Sequence, residues 1–218
     1  MSLFLSLKAK ASTINNICAD SYVLVESKTL RVLDEKNMNK RLLPASITKI
    51  LTCIVAIENG ELDNYYTVTK EVVEQTGSSI YFEVGEKVKL IDLLYAMMLR
   101  SGNDAAYMTA ISVSNSFSDF IYLMNKTAKK IGMENSLFSN PSGLDETTEN
   151  YSTAFDMAKL MSYALKNEIF SKITGTIKYS FETINGKKRT IENKHKLVKG
   201  YDFITGGKTG VVPIFCVI

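Results

Sequence analysis

Apolar residues dominate one stretch in the first third of the chain so completely that it predicts a buried helix. Residues 50–57 read Ile-Leu-Thr-Cys-Ile-Val-Ala-Ile, with a single polar side chain. A helix that is apolar on every side is stable only when it is buried. Pro44 suits the entrance of such a helix, and Asn59-Gly60 suits an exit through a left-handed cap. We therefore predict a central buried helix over residues 46–58.

The rest of the pattern predicts strands near both ends of the chain and helices between them. Residues 20–25 and 29–33 are rich in β-forming side chains and predict a hairpin. A second hairpin is predicted from residue 177 to residue 191, with its turn at Asn185-Gly186. Helical spacing of apolar residues predicts four more helices, over residues 90–99, 104–113, 118–131 and 153–166. Residues 61–89 are expected to form loops and short strands.

This order of elements predicts an α+β fold, in which an antiparallel sheet built from both chain ends stands beside an all-helical lobe. We expect a single domain over residues 20–218. Its sheet lobe is expected at about residues 20–44 and 176–218, and its helical lobe at about residues 45–175. Little sequence follows residue 210, and Pro213 is ill suited to a central strand, so the sheet is expected to be incomplete at its C-terminal end.

Residues 1–19 are expected to be a leader or the remnant of an export signal. The apolar start of the chain leads to Ala9-Lys10-Ala11, which has the small-residue spacing of a signal cleavage site. The alternative is an ordinary N-terminal helix that packs on the domain.

Composition and charge exclude several classes of site. The chain has 218 residues, is 45% hydrophobic and 22% charged, and carries a net charge of +3, which is ordinary for a globular protein. Its most basic segment, residues 187–199, lacks interleaved aromatic residues and contains Glu192, so we expect no nucleic-acid partner. Three cysteines without metal-ligand spacing and one histidine argue against a zinc site. Cys53, inside the apolar run, is expected to be a small core residue.

Ser46 and Lys49 introduce chemistry at the start of the buried helix. Residues three apart on a helix share a face, with their Cβ atoms roughly 5 to 6 Å apart. Burial lowers the pKa of a lysine, and an uncharged amine beside a hydroxyl is a base next to a nucleophile. The alternative is that Ser46 caps the helix while Lys49 extends to water. This pair of residues does not decide between the two interpretations by itself.

Two further motifs favour the catalytic interpretation. Ser46-Ile-Thr-Lys49 is followed by Ser101-Gly-Asn103 and then by Lys208-Thr-Gly210, the order of the signature motifs of class A β-lactamases and penicillin-binding proteins. The chain resembles the penicillin-binding serine D,D-peptidases, and most closely the low-molecular-weight D-alanyl-D-alanine carboxypeptidases. The resemblance extends from about residue 20 to residue 210. It includes three further segments, Lys40-Arg41-Leu42-Leu43-Pro44-Ala45, Leu93-Leu94-Tyr95 and Asn140-Pro141-Ser142-Gly143-Leu144-Asp145.

The resemblance implies a β-lactamase/transpeptidase-like fold and an exported enzyme that acts outside the cytoplasm. Such an enzyme removes the terminal D-alanine from peptidoglycan stem peptides through an acyl-serine intermediate, needs no metal or cofactor, and is inhibited by β-lactams. Ser46 is then the nucleophile and Lys49 its base. Ser101 relays the proton towards the departing amine, and Asn103 holds a substrate amide or orients Lys49.

The same resemblance implies how the substrate is held. Lys208 and Thr209 are expected to bind the free terminal carboxylate, the preference that defines an exopeptidase. Gly210 lets the substrate backbone lie against the edge of a strand. The backbone N–H groups of Ser46 and Val211 are expected to form the oxyanion hole. Membrane association is expected only through segments that this sequence does not contain.

Two related functions stay open as alternatives. One is a class A-like β-lactamase, which would need a deacylating glutamate motif that we do not find between residues 137 and 150. The other is a truncated, non-catalytic domain that binds muropeptides or β-lactams. His195 is not expected to be catalytic, because its neighbourhood is typical of a solvated loop. A phosphate-binding loop at Gly206-Gly207-Lys208-Thr209 is excluded, since Asp202 stands where that motif requires glycine.

Overall fold

The structure is a computed structural model that describes residues 17–144, 149–212 and 215–217, with side chains up to residue 210. The predicted leader, apart from residues 17–19, lies outside the described residues, as do Asp145 and Pro213. The helices are α1 (Lys49–Asn59), α2 (Lys70–Val73), α3 (Leu90–Arg100), α4 (Asn103–Val113), α5 (Phe117–Ile131), α6 (Ala154–Ala164), α7 (Glu168–Gly175) and α8 (Lys196–Gly200). The strands are β1 (Tyr22–Val25), β2 (Val32–Lys36), β3 (Tyr65–Thr67), β4 (Lys87–Lys89), β5 (Lys178–Glu182), β6 (Lys188–Glu192), β7 (Gly210–Val212) and β8 (Phe215–Val217).

Helix α1 is the predicted buried helix, and it lies at the centre of the helical part of the fold. Helices α3, α4, α5, α6 and α7 all contact it, and Cys53 is fully buried as predicted. Its entrance differs from the prediction, because a 3-10 turn, Ala45–Thr48, precedes the α-helix. Its exit differs too. Gly60 is extended rather than left-handed, and the chain then turns at residues 61–64, where Asn64 N donates to the Glu61 carbonyl.

The other predicted helices are present as α3, α4, α5 and α6, with ends that shift by a few residues. Helix α5 begins earlier than predicted, because the hydroxyl of Ser116 rather than that of Ser118 caps it and accepts from Asp119 N at 3.1 Å. The sequence pattern missed α2, α7 and α8, which have only four, eight and five residues. Helices this short depend on caps and tertiary contacts rather than on periodicity. Among the described residues, no helix has both the length and the apolar character that crossing a bilayer requires.

The mixed α+β class is confirmed, but the strands are arranged differently from the predicted sheet. Within the described ranges they form four separate antiparallel pairs, β1–β2, β3–β4, β5–β6 and β7–β8. Strand β1 packs against α6. Strand β5 instead lies on α3, where the rings of Tyr179 and Tyr95 stack with centroids 3.7 Å apart. The N-terminal and C-terminal hairpins thus bury their faces on different helices, and no ladder joins them in the described part of the chain.

Strand β7 lies against the 3-10 turn that opens α1. A side chain at Gly210 would bring its Cβ within 3.2 Å of the Pro44 carbonyl oxygen and 3.3 Å of Ile47 N. Glycine therefore permits the close approach that brings the third sequence motif next to the first.

Candidate active site

The three motifs converge in the structure from separate parts of the fold. Ser46 lies in the 3-10 turn, Lys49 begins α1, Ser101 lies between α3 and α4, Asn103 begins α4, and Lys208 lies just before β7. Lys49 Nζ is 3.0 Å from Ser46 Oγ and 2.8 Å from Asn103 Oδ1. Lys208 Nζ donates to Ser101 Oγ at 3.0 Å. The candidate residues therefore form two contacting groups, Ser46–Lys49–Asn103 and Ser101–Lys208.

The 3-10 turn explains why Ser46 and Lys49 meet. In a 3-10 helix the side chains at positions i and i+3 are eclipsed, so the hydroxyl and the amine lie one above the other. Ala45, at the start of this turn, has φ +47°, an uncommon conformation for a residue with a side chain. Lys49 is fully buried, whereas Ser46 is half-buried. The hydroxyl thus faces accessible space, while the amine lies behind it.

The Lys49 amine has three oxygen partners, an arrangement that accommodates either its charged or its uncharged form. Asn103 Oδ1 and the Ser142 carbonyl oxygen lie 2.8 and 2.6 Å from Nζ, and both can only accept. The Asn103 amide is fixed in this orientation because its Nδ2 donates to the Thr76 carbonyl at 2.7 Å. A neutral amine has two N–H donors and one lone pair. With both donors engaged, the lone pair is left for the Ser46 hydroxyl.

The electrostatic environment favours the uncharged amine. Burial lowers the pKa of Lys49 well below its ordinary value, the cations Lys208 and Lys194 lower it further, and the carboxylate of Asp104 opposes them. Asp104 does not contact the amine in the structure and instead accepts hydrogen bonds from residues 79–81. We infer that Lys49 is placed to act as a base near neutral pH.

The loop from Asn140 to Gly143 completes the surroundings of Lys49, a role that sequence reasoning missed. The Asn140 side chain accepts from the backbone N–H groups of Ser142 and Gly143 at 3.1 and 2.7 Å. This turn directs the Ser142 carbonyl at the Lys49 amine. Asn-Pro-Ser-Gly is a recognisable turn sequence, but nothing in it identifies the lysine that it contacts.

We expect Gly143→Ala to destabilise the protein by about 3 kcal/mol or more, because the left-handed backbone and a steric clash both oppose it. Gly143 has φ +74°, and an added Cβ would lie 1.8 Å from the Ala45 carbonyl oxygen. Gly132→Ala is the matched control, because Gly132 has φ +84° and no atom lies within 4 Å of its would-be Cβ. Urea denaturation should show a clearly larger loss for Gly143→Ala. Equal losses would contradict the close contact between this loop and the catalytic turn.

Lys208 is the second buried lysine of the site. Its side chain donates to Ser101 Oγ and to the Thr209 carbonyl, at 3.0 and 2.7 Å, and the residue is only 7% exposed. Burial, helped by the cation of Lys194, lowers the pKa of Lys208 to about 7. The described contacts place Ser101 with Lys208 rather than with Lys49.

The lowered pKa of Lys208 predicts a pH-dependent contribution to stability. Between pH 7 and its ordinary pKa of 10.5, the folded protein has lost this proton while the unfolded chain keeps it. The unfolded state then binds more protons, so the contribution rises with pH, by up to about 1.4 kcal/mol per unit. Relative to Lys208→Met, the free energy of unfolding of the unmodified protein should therefore increase from pH 7 to pH 9.5 in urea titrations. A difference that stays constant over this range would contradict the buried, neutral lysine.

Thr209, Gly210 and Val211 lie where the sequence predicts the rim of the site. Thr209 is half-buried beside Lys208, and Gly210 and Val211 begin β7, the strand that contacts the turn holding Ser46. The two backbone N–H groups assigned to the oxyanion hole thus belong to adjacent elements. Their joint role stays a prediction.

The structure corrects the expected surroundings of His195. This residue is only 8% exposed, so the prediction of a solvated loop was wrong. Its Nδ1 accepts from Val198 N at 3.3 Å and caps α8, and Lys194 N donates to the Leu99 carbonyl, which holds the segment against α3. A Cβ on Gly207 would lie 2.5 Å from Nε2, so the ring supports the approach to β7. Burial, and secondarily Lys208, lowers the pKa of His195.

Across residues 17–144, 149–212 and 215–217, no three His, Cys, Asp or Glu side chains come together in a group that could hold a metal ion.

Several known proteins are similar in sequence to this chain. The sequence resembles the D-alanyl-D-alanine carboxypeptidase DacF of Bacillus subtilis (strain 168), with 38% identity over 197 residues, which cover 88% of this chain and 50% of that protein. It also resembles the D-alanyl-D-alanine carboxypeptidase of Streptomyces sp. (strain K15), with 32% identity over 222 residues, 94% of this chain and 76% of that protein. The chain thus spans about half the length of the Bacillus relative.

Solved structures show the same fold. The crystal structure of the Streptomyces K15 DD-transpeptidase superposes with a TM-score of 0.85 and 33% identity, over 93% of this chain and 83% of that one. A D-alanyl-D-alanine carboxypeptidase from Mycobacterium tuberculosis H37Rv gives a TM-score of 0.84 at 27% identity, over 89% and 74% of the two chains. These similarities confirm the predicted fold class.

The sequence profile of one family matches residues 8–213, nearly the whole chain. The chain therefore belongs to the peptidase S11 family, the D-alanyl-D-alanine carboxypeptidases.

Proposed function

We propose that this chain is the catalytic domain of a serine D-Ala-D-Ala carboxypeptidase that acts outside the cytoplasm on peptidoglycan stem peptides. The observation that carries the proposal is the fully buried amine of Lys49, 3.0 Å from Ser46 Oγ, with its two N–H donors engaged by other oxygens. β-Lactams are expected to acylate Ser46, because their ring offers the same kind of carbonyl.

The proposed reaction has two steps. In the first, Ser46 Oγ attacks the carbonyl of the penultimate D-alanine while its proton moves to the lone pair of Lys49 Nζ. The peptide C–N bond then breaks, and the departing D-alanine amine takes up the proton held by Lys49, relayed by Ser101. In the second step, water attacks the acyl-serine ester and gives its proton to Lys49. The ester C–O bond breaks, this proton returns to Ser46 Oγ, and the shortened peptide leaves. The N–H groups of Ser46 and Val211 would stabilise the oxyanion in both steps.

Lys208 and Thr209 would bind the carboxylate that ends the substrate. An ammonium and a hydroxyl beside each other form charge-assisted and neutral hydrogen bonds to one carboxylate. A bound carboxylate would also replace water next to Lys208 with a negative charge, which favours the protonated lysine. The site would thus select peptides with a free C-terminus.

This role predicts the alkaline side of the pH profile. The value of kcat/KM reports ionisations of the free enzyme, and Lys208, with a pKa of about 7, must be protonated to attract a carboxylate. We expect kcat/KM to fall towards high pH from about pH 7. In Lys208→Arg the guanidinium stays charged. The decrease of kcat/KM towards high pH should therefore disappear in this variant, even if kcat/KM is lower at every pH. An unchanged alkaline limb in this variant would show that Lys208 does not control it.

Product analysis separates the proposed activity from its alternatives. Incubation with a diacetyl-Lys-D-Ala-D-Ala peptide should release free D-alanine, and benzylpenicillin should form a long-lived adduct. Rapid turnover of penicillin without D-alanine release would indicate a β-lactamase. A penicillin adduct without turnover of the peptide would indicate a binding domain. An added amine acceptor would show whether the acyl group is also transferred, as the name of the Streptomyces K15 DD-transpeptidase suggests for that protein.

A further inference from the structure

A cleft of about 470 Å³ opens beside the loop at residues 101–103 and contains none of the three sequence motifs. Its walls are the loop at residues 79–81, Arg100 at the end of α3, and residues 189–192 of β6. Neither the sequence motifs nor the proposed chemistry at Ser46 uses this cleft.

The cleft adjoins the loop that carries two of the candidate active-site residues. Arg100 directly precedes Ser101. The Asn103 N–H donates to the Ser78 carbonyl at 2.7 Å, and a Cβ on Gly102 would lie 2.8 Å from Ile80 Cγ1. One wall of the cleft is therefore packed directly on the loop that carries Ser101 and Asn103.

Tyr81, in this wall, combines an unusual backbone conformation with an exposed side chain. It has φ +62°, which is strained for a residue with a bulky side chain, and yet the residue is 79% exposed. The buried carboxylate of Asp104 accepts from its N–H at 3.0 Å, and Arg189 Nη2 donates to its carbonyl at 3.2 Å. Arg189 is itself held by Glu86 through two hydrogen bonds of 2.6 and 2.7 Å. Buried charges thus hold the backbone of Tyr81 in its left-handed conformation, and such strain tends to occur where ligands are bound.

Arg100 gives the cleft its charge. The charge of Arg189 is balanced by Glu86, and Glu192 lies 3.9 Å from Lys178. Arg100 is exposed, and within the described part of the chain it has neither an ion pair nor a hydrogen bond to its guanidinium. A planar cation with free donors at the edge of a cleft is suited to bind a carboxylate.

We propose that this cleft is a second substrate subsite, in which Arg100 binds a carboxylate borne by the peptide upstream of the scissile bond while the Tyr81 ring covers the peptide. The proposal rests on the proposed function. A carboxypeptidase substrate ends at the residue whose carboxylate Lys208 holds, so only its upstream residues can reach a neighbouring cleft. Two or three extended residues span roughly 7 to 11 Å, and Arg100 is the chain neighbour of Ser101 in the candidate active site.

Two matched peptides test the role of Arg100. Both end in D-Ala-D-Ala and differ only in whether an upstream glutamyl residue carries a carboxylate or a carboxamide. For Arg100→Gln we expect kcat/KM on the carboxylate peptide to fall about tenfold or more, chiefly through KM, because a charge-assisted hydrogen bond is lost. On the carboxamide peptide, kcat/KM of the same variant should equal that of the unmodified protein. Arg31→Gln makes the same change at an exposed position that does not line the cleft. This variant controls for net charge, and its kcat/KM on both peptides should be unchanged.

Tyr81→Gly tests the ring. Glycine adopts positive φ without strain, so the melting temperature of this variant should be equal to or higher than that of the unmodified protein. Its kcat/KM should nevertheless fall on both the carboxylate and the carboxamide peptide. A merely structural role for Tyr81 predicts unchanged kinetics.

The proposal is overturned if Arg100→Gln affects both peptides equally, as expected if Arg100 only stabilises the end of α3, or if it affects neither. Those results would leave penicillin labelling of Ser46 and D-alanine release from the short diacetyl peptide intact. Failure of the subsite is therefore distinguishable from failure of the proposed function, in which no peptide would release D-alanine.

Discussion

Ser46→Ala is expected to abolish covalent labelling by a fluorescent penicillin and to lower kcat/KM for D-alanine release by roughly 10,000-fold or more, as removal of a catalytic nucleophile typically does. The hydroxyl is the only side-chain group of this residue that the proposed chemistry uses, and alanine keeps the backbone N–H assigned to the oxyanion hole. Its loss leaves the buried core untouched, since Ser46 is half-buried in the 3-10 turn. Gel fluorescence and a D-alanine assay measure the two effects.

Ser118→Ala is the matched control, because Ser118 is an exposed serine at the start of α5. It should label and react like the unmodified protein. Persistent labelling of Ser46→Ala, located by peptide mapping to another residue, would assign the nucleophile elsewhere.

Lys49→Met is expected to lower the rate of acylation by about 1,000-fold, within the range that loss of a general base usually produces. Methionine has a similar length and suits a fully buried position, but it offers no lone pair to take the proton of Ser46. It also leaves Asn103 Oδ1 and the Ser142 carbonyl without their shared donor, so some loss of stability should accompany the loss of rate.

Lys49→Arg distinguishes a requirement for a proton acceptor beside Ser46 from a requirement for a positive charge there. Arginine keeps hydrogen-bond donors for Asn103 and Ser142, but it stays protonated in proteins and cannot accept the hydroxyl proton. The account therefore predicts that this variant is as inactive as Lys49→Met in stopped-flow acylation by penicillin. Substantial activity in Lys49→Arg would show that a cation, not a base, is needed beside Ser46.

Local patterns were sufficient to predict the central helix and the contact between Ser46 and Lys49. Residues 50–57 can only be stable when buried, and the structure buries α1 among five other helices. The spacing of Ser46 and Lys49 already predicts their contact. The order of the three motifs identified the remaining partners, Asn103 and Lys208, because it matches a known set of motifs rather than because of any local rule.

Features that depend on contacts distant in sequence were beyond this kind of prediction. Nothing in Ser142 indicates that its carbonyl lies 2.6 Å from the amine of a residue 93 positions earlier. His195 looks solvated because its neighbours are polar, yet packing against Gly207 and the cap of α8 bury it. The pairing of strands likewise depends on which helix each hairpin covers.

The charge of the Lys49 amine is the central claim, and it can be measured directly. In protein labelled with 13C-lysine, the Cε resonance of Lys49, assigned by its absence in Lys49→Met, reports protonation of Nζ as the pH is varied. The account predicts that this resonance titrates well below the ordinary lysine pKa of 10.5. If Lys49 titrates together with the exposed lysines, no base stands beside Ser46 and the proposed mechanism is wrong.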